Sequence, residues 1–191
     1  MKYDLSKKMT RGAKRTLESF TKTMFTLLSK KPFENISVNE ICEVSNFPRA
    51  TFYNYFDDKY DLLNYCWYLI SSEINLKDHN LMSSEEVINV LFDRLYNLFN
   101  KHSKLLAKIL RNNPSNSPLL NHYHLYLKHT MQMVFNECID FDNKNIPLEI
   151  IAVHFSNTLL IILEAAFFSP EPISLEESHK YLNYLLGHLL K

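Results

Sequence analysis

Apolar side chains return every three or four residues along most of this chain, the spacing that gathers them on one side of an α-helix. Between residues 10 and 30 the stripe is Leu17, Phe20, Met24, Phe25, Leu27 and Leu28, with basic residues gathered early, and Pro32 stops it. Ser37 followed by Glu40 has the form of a capping box, in which the serine oxygen accepts a backbone N–H and the glutamate reaches back. A short helix is therefore expected over 38–44, with Val38, Ile41 and Val44 inward. Asn46 follows it, and asparagine tolerates the left-handed conformation that ends helices. Pro48 needs no N–H partner in a first turn and opens a second short helix over 48–55. Asp57 or Asp58 caps a fourth helix running toward Ile74.

Beyond a polar break at 77–83, a second box, Ser83 with Glu86, begins an amphipathic helix to residue 100, and residues 103–111 form a separate short one. Turn formers over 112–118 make the clearest loop. Long helices follow over 118–139 and 147–168, parted by a polar turn at 140–145. A last helix starts at a third box, Ser174 with Glu177, and runs to Leu190. The pattern predicts an all-α chain of about nine helices.

Composition narrows the reading. At 191 residues, 46% hydrophobic and 22% charged, the chain has enough apolar surface for a core in one or two domains. Two glycines in that length leave glycine-loop nucleotide sites and hairpin-rich sheets without the positive-φ positions they need. Formal charge is zero but unevenly spread: residues 1–60 hold eleven Lys and Arg against seven acids, and residues 61–191 hold ten against fourteen. A basic N-terminal module, with the run Lys7, Lys8, Arg11, Lys14 and Arg15, fits one end meeting a polyanion. Cys42, Cys66 and Cys138 are odd in number and widely spaced, so neither a disulfide framework nor a zinc knuckle is indicated, and a reducing cytoplasm fits. The chain's start lacks an apolar signal region. The most apolar stretch, 150–168, contains His154, Ser156, Asn157 and Glu164, so no membrane segment is expected.

Two short helices joined by about three residues, the second bearing Arg49, Thr51, Tyr53 and Asn54, have the pattern of a helix-turn-helix. The surrounding residues extend it: Lys30, Lys31, Pro32 and Phe33, then Ile36 to Ile41, then Phe47 to Phe56, then Asp58 to Leu63. Together with the T-x-Y-x-x-F-x-x-K-x-x-L core of Thr51, Tyr53, Phe56, Lys59 and Leu62, this string resembles the tetracycline-repressor (TetR/AcrR) family of bacterial transcriptional regulators over residues 10–66. The resemblance implies an N-terminal three-helix DNA-binding domain, placed at 1–57, and a helical effector-binding and dimerisation domain at 58–191. It also implies double-stranded DNA with a pseudo-palindromic operator as partner, and homodimerisation through the last two helices. Arg49 has the fork that reads guanine, and Thr51 sits beside it for base contact. Tyr53 resembles the family tyrosine that reaches a phosphate, and Lys59 the family's phosphate-contacting lysine, while Ser37 and Asn39 stand at a helix N-terminus suited to phosphate. Phe52 and Phe56 are expected in the small core.

The remainder supports an effector half independently. Residues 150–168 are apolar on nearly every side, which calls for burial all round, and Leu175, Tyr181, Leu182, Leu185, Leu186, Leu189 and Leu190 make a partner stripe. Trp67, Phe92, Tyr96, Phe99, Tyr123, Tyr126 and Phe155 are the candidate lining for a small-molecule effector, or simply core. His122, His124 and His129 lack an i, i+4 histidine pair or an HExxH motif, so no metal site is expected. No nucleophile elbow, P-loop or paired carboxylates stand out, so neither an enzyme nor a cofactor is expected. The competing reading is a helical adaptor that keeps the helix-turn-helix fold but works through protein contacts, without operator specificity.

Overall fold

The structure is a computed structural model that describes residues 9–73, 84–114, 116–138 and 146–186. Lys7, Lys8, the 77–83 break, the Ser83 box, the 140–145 turn, Leu189 and Leu190 lie outside them, as do the side chains of Glu73, Met131 and Cys138. Among the described residues there are eight α-helices: α1 (Arg11–Leu28), α2 (Val38–Ser45), α3 (Arg49–Tyr55), α4 (Lys59–Glu73), α5 (Ser84–Asn112), α6 (Pro118–Cys138), α7 (Leu148–Phe167) and α8 (Leu175–Leu186). A 3-10 turn, Phe33–Asn35, lies between α1 and α2. The helices expected over 84–100 and 103–111 are one, the 29-residue α5. Residues 100–103 contain neither proline nor glycine, so nothing there interrupts the backbone ladder.

Side-chain caps fix the starts of α1, α2, α4 and α8. The Thr10 hydroxyl accepts the Ala13 N–H at 3.1 Å to start α1, and the Asp58 carboxylate accepts the Asp61 N–H at 2.9 Å to start α4. At α8 the box is reciprocal: Ser174 Oγ accepts the Glu177 N–H at 3.2 Å, and the Glu177 carboxylate accepts the Ser174 N–H at 2.9 Å. The Ser174 N–H and hydroxyl, both donating to that carboxylate, hold the Glu177 carboxyl below its ordinary value. At α2 Ser37 Oγ accepts the Glu40 N–H at 3.2 Å, but the Glu40 carboxylate is engaged by Lys31. Pro48 stands at the cap position of α3 with no side-chain cap bond.

The division into compact units cuts across the long helices. Met1–Ser72 and Lys104–Asn121 form one unit, Glu73–Ser103 and His122–Lys191 the other. In the first, Leu17, Phe20, Met24, Leu28, Phe33, Ile36, Ile41, Phe52 and Phe56 are all but fully buried. The inward face of α2 is Ile41, Cys42 and Ser45, whereas Val44 is 52% exposed. Small side chains at 42 and 45 admit close approach there, with the Ser19 hydroxyl donating to the Ser45 carbonyl at 3.4 Å. Both Cys42 and Cys66 are buried thiols, and burial pushes Cys66 up to about 12.

In the second unit α7 packs against α8. By length and composition alone Glu149–Phe167 would pass for a membrane span, with a mean hydropathy of 1.8, but 56% of it is buried inside the protein. Not every side of α7 is covered within the chain: Ile150 is 59% and Ile161 63% exposed.

The chain ends α2 with Asn46 at φ 58° and ψ 42°. The Asn46 N–H then bonds the Glu43 carbonyl at 3.2 Å and the Phe47 N–H the Cys42 carbonyl at 3.0 Å, which satisfies two carbonyls that the helix leaves open. Asn46→Gly is expected to retain or raise stability, whereas Asn46→Ala costs about 1 kcal/mol for placing a Cβ in the left-handed region, measured by urea unfolding.

Candidate nucleic-acid interface

α3 has only seven residues, and its first turn hangs on the Pro48 carbonyl, which accepts the Thr51 N–H at 2.9 Å and the Phe52 N–H at 3.3 Å. A helix this short does not persist alone in water. Phe52 is fully buried, and its ring meets Phe20 edge-on at 5.4 Å. With that face inward, Arg49, Tyr53 and Asn54 are exposed and Thr51 is half-buried. One turn apart, Arg49 Nη2 donates to Tyr53 Oη at 3.3 Å, and the guanidinium lies 5.7 Å from the Tyr53 ring centroid. The pair presents a cation and a phenol on one face.

Arg49 also shares an open cleft of about 570 Å³ with Asn39, Glu43 and Asn46, so α2 and α3 meet there across the turn. Cys42 lies in the same cleft, where burial raises its thiol against the lowering effect of the nearby Arg49. Ser37 is exposed at the start of α2 with its oxygen already capping the helix. On α1, Arg11, Lys14 and Arg15 are exposed, and Lys14 approaches Glu18 at 3.8 Å. Of the seven residues expected to contact DNA, the structure thus joins Arg49 to Tyr53 by a bond and to Asn39 by the cleft.

Lys59 is bonded to the Phe33 turn. Its Nζ donates to the carbonyls of Phe33, Glu34 and Ile36 at 3.0, 3.0 and 2.9 Å. The same atom lies 4.6 Å from the Phe33 ring centroid and 5.8 Å from that of Tyr60. Burial draws the ammonium below the ordinary lysine value, opposed by Glu34 and Asp58.

A second polar group on this turn escaped the sequence reading. Asn113, fully buried, accepts the Phe33 N–H on Oδ1 at 2.9 Å and donates from Nδ2 to the Ile109 carbonyl at 2.9 Å and the Leu28 carbonyl at 3.4 Å. Next to it, Asn112 Nδ2 donates to the Ser29 carbonyl at 3.1 Å. In the sequence both belong to a run of turn formers and carry no mark of burial.

Residues 23–66 match the family model described as bacterial regulatory proteins, tetR family. Over that segment the chain is similar to the tetR family of bacterial regulatory proteins. That match runs from the last turns of α1, through α2 and α3, into the first half of α4, and with it the resemblance carried by the motif holds. Similar solved structures extend the fold to nearly the whole chain. A TetR-family transcriptional regulator from Syntrophomonas wolfei is 18% identical over 93% of this chain and 96% of its own, with a TM-score of 0.65. A TetR-family regulator from Streptomyces coelicolor is 10% identical over 97% and 100%, with a TM-score of 0.72. The regulator FadR from Bacillus subtilis, solved with stearoyl-CoA, is 13% identical over 88% and 96%, with a TM-score of 0.52. Among curated proteins none matches.

The candidate effector residues of this tetR-like chain divide between the units. Trp67 belongs to the first, and Phe92, Tyr96, Phe99, Tyr123, Tyr126 and Phe155 to the second. On α5, Phe92 and Tyr96 lie 6.1 Å apart, and Tyr96 and Phe99 both meet Phe167 of α7, at 4.7 and 5.8 Å. His179 of α8 covers Phe92 at 5.4 Å and binds the Asp93 carboxylate at 2.7 Å. Phe167 and His179 were not among the expected residues; their neighbours are set by helix packing and not by spacing. Burial pushes the Tyr123 phenol above its ordinary value, with Tyr126 adding to the effect. Among the described residues no three His, Cys, Asp or Glu side chains gather to hold a metal ion.

Removing the Asn113 amide strands a buried N–H at Phe33. Asn113→Ala should lower unfolding stability by about 2–3 kcal/mol, and Asn113→Asp, which accepts but cannot donate, should fail to restore it in a urea titration.

Proposed function

We propose that this chain is a dimeric, DNA-binding transcriptional regulator whose operator affinity responds to a small-molecule effector held among its C-terminal helices. The observation that carries the reading is the solvent face of α3, where Arg49 and Tyr53 are paired and exposed over a rigid aromatic core. Arg49 and Thr51 read base edges in the major groove, Asn54 lies on the same helix, and Tyr53, Ser37 and Asn39 contact phosphates. DNA is read by residues 1–57, while 58–191 bind effector and pair the protomers.

Dimerisation rests on the uncovered side of the second unit. Ile150, His154, Asn157 and Ile161 are exposed at helical spacing on α7, and Tyr181, Tyr184 and Leu185 on α8. Tyr184 is 80% exposed. Such a patch on two adjacent helices suits a self-complementary contact about a two-fold axis, which in turn suits a pseudo-palindromic operator. For the effector, the aromatic residues of α5 and α6 favour an apolar or aromatic ligand, and a neighbour of the same fold holds stearoyl-CoA. Repression is the proposed outcome of DNA binding, relieved when the effector favours a DNA-incompetent arrangement.

Binding of the purified chain to DNA upstream of its own coding sequence, at fixed salt, tests this. Arg49→Ala should weaken specific binding by about 1–3 kcal/mol and relax sequence preference. Tyr53→Phe, which loses one phosphate bond, should cost about 1 kcal/mol on every sequence. Weak binding that is equal on all DNA and unchanged by Arg49→Ala would return the protein to the adaptor reading. Ile161→Glu should turn dimer into monomer in sedimentation velocity while leaving the helical content intact; an unchanged sedimentation coefficient would sink the proposed interface.

A further inference from the structure

An ammonium has three N–H donors, and in Lys59 all three are spent on one turn, at the Phe33, Glu34 and Ile36 carbonyls. The cation also sits over the Phe33 ring, where the quadrupole attracts it. For a DNA phosphate to bind Lys59 it would have to displace at least one of these carbonyls. The turn itself is gripped from the opposite chemical side: the Phe33 N–H is bound by Asn113, and Phe33 is fully buried. One residue thus has its N–H, its carbonyl and its ring all engaged by side chains 26 and 80 positions away.

What rides on this turn is the DNA-reading pair. Ile36, whose carbonyl Lys59 holds, directly precedes the Ser37 cap of α2, and Lys31, two residues before the turn, is bonded to Glu40 within α2. From α2 the chain passes through the left-handed Asn46 into α3 with one residue between Asn46 and Pro48. A shift in the turn therefore carries α2 and α3 with it. Lys59 is the first residue of α4, and Asn113 directly follows α5, so the ends of two long helices are bonded to the same residue, Phe33, one through its carbonyl and the other through its N–H.

We infer that Lys59 is a positioning residue, which together with Asn113 clamps the Phe33 turn and sets the angle at which α2 and α3 meet DNA, and that it is not a phosphate ligand. This rests on the proposed DNA-binding function, but its test separates the two. The full-length protein is compared with Lys59→Met, which keeps the aliphatic stem, for affinity to DNA upstream of its own coding sequence across a salt series. The expected result is a loss of about tenfold or more in specific affinity with the salt dependence unchanged. A slope of log K on log salt that flattens by about 0.9 per site would make Lys59 a phosphate contact and overturn the inference. Reduced urea resistance with unaltered DNA affinity would reduce Lys59 to a purely structural part and overturn it as well.

A measurement on the unmodified chain needs neither the variant to fold nor the operator to be known. Lysine acetylation by an amine-reactive ester, followed by mass spectrometry, should proceed much more slowly at Lys59 than at exposed Lys14, and added DNA should bring no further protection at Lys59. Equal rates at the two lysines in the free protein would remove the clamp, and DNA-dependent protection of Lys59 would restore the phosphate role. If the protein shows no sequence preference, the regulator reading falls, while the rates in free protein still decide the clamp.

Discussion

Phe20 is fully buried in α1, and its ring is touched from three directions, by Phe47 at 5.4 Å, Phe52 at 5.4 Å and Phe56 at 6.2 Å. Those partners are the turn before α3, its middle and its end. Helices of eight and seven residues are too short to hold themselves in water, so α2 and α3 exist because this cluster and its neighbours bury their apolar sides. Each such ring pair adds about 0.5–1.5 kcal/mol beyond simple burial, which is of the order needed to hold a two-turn helix. The functional consequence is rotational. With Phe52 and Phe56 committed inward, α3 has no freedom about its own axis, and Arg49, Tyr53 and Asn54 face solvent as a set.

A polar constraint of a different kind governs the tilt of that pair. Burying Asn113 is unfavourable unless its amide is satisfied, and here both ends are bonded, to a backbone N–H and to two carbonyls. Lys59 supplies the complementary saturation from the start of α4. Such bonds are directional where apolar contacts are not, so the aromatic cluster keeps α3 in place and the Phe33 turn determines the line along which α2 approaches it. The division of labour suits a DNA reader, in which base contacts tolerate little angular error.

The second unit is built on the same aromatic economy with a different outcome. Phe92, Tyr96 and Phe99 form a stripe along α5 that meets Phe167 and His179, so much of the aromatic surface expected for an effector also holds α5, α7 and α8 together. An effector that enters among such residues has to exchange packing within the unit for contacts of its own, which is a way for binding to change helix positions. Meanwhile the outer side of α7 and α8 keeps isoleucine, tyrosine and leucine in water. A single chain gains nothing from that exposure, and a second copy would.

What the sequence determined by itself is local. Helical spacing, the oxygens of Thr10, Ser37, Asp58 and Ser174 and the left-handed tolerance of Asn46 act within a few residues, and they set the starts of α1, α2, α4 and α8 and the end of α2. The motif from Thr51 to Leu62 was readable for the same reason, since its parts lie on adjoining helices. Where local signals are permissive, packing decides: helix continues through residues 100–103, where a break is expected, and Val44 turns outward because Cys42 and Ser45 allow closer packing. Only the tertiary structure decided that Asn113 is a buried clamp and not a turn residue, that Lys59 spends its charge on carbonyls, and that Phe167 and His179 close over α5. Each of those depends on groups 23 to 87 residues apart meeting within about 6 Å. Such an encounter is set by how whole helices pack, and periodicity along the chain carries no record of it.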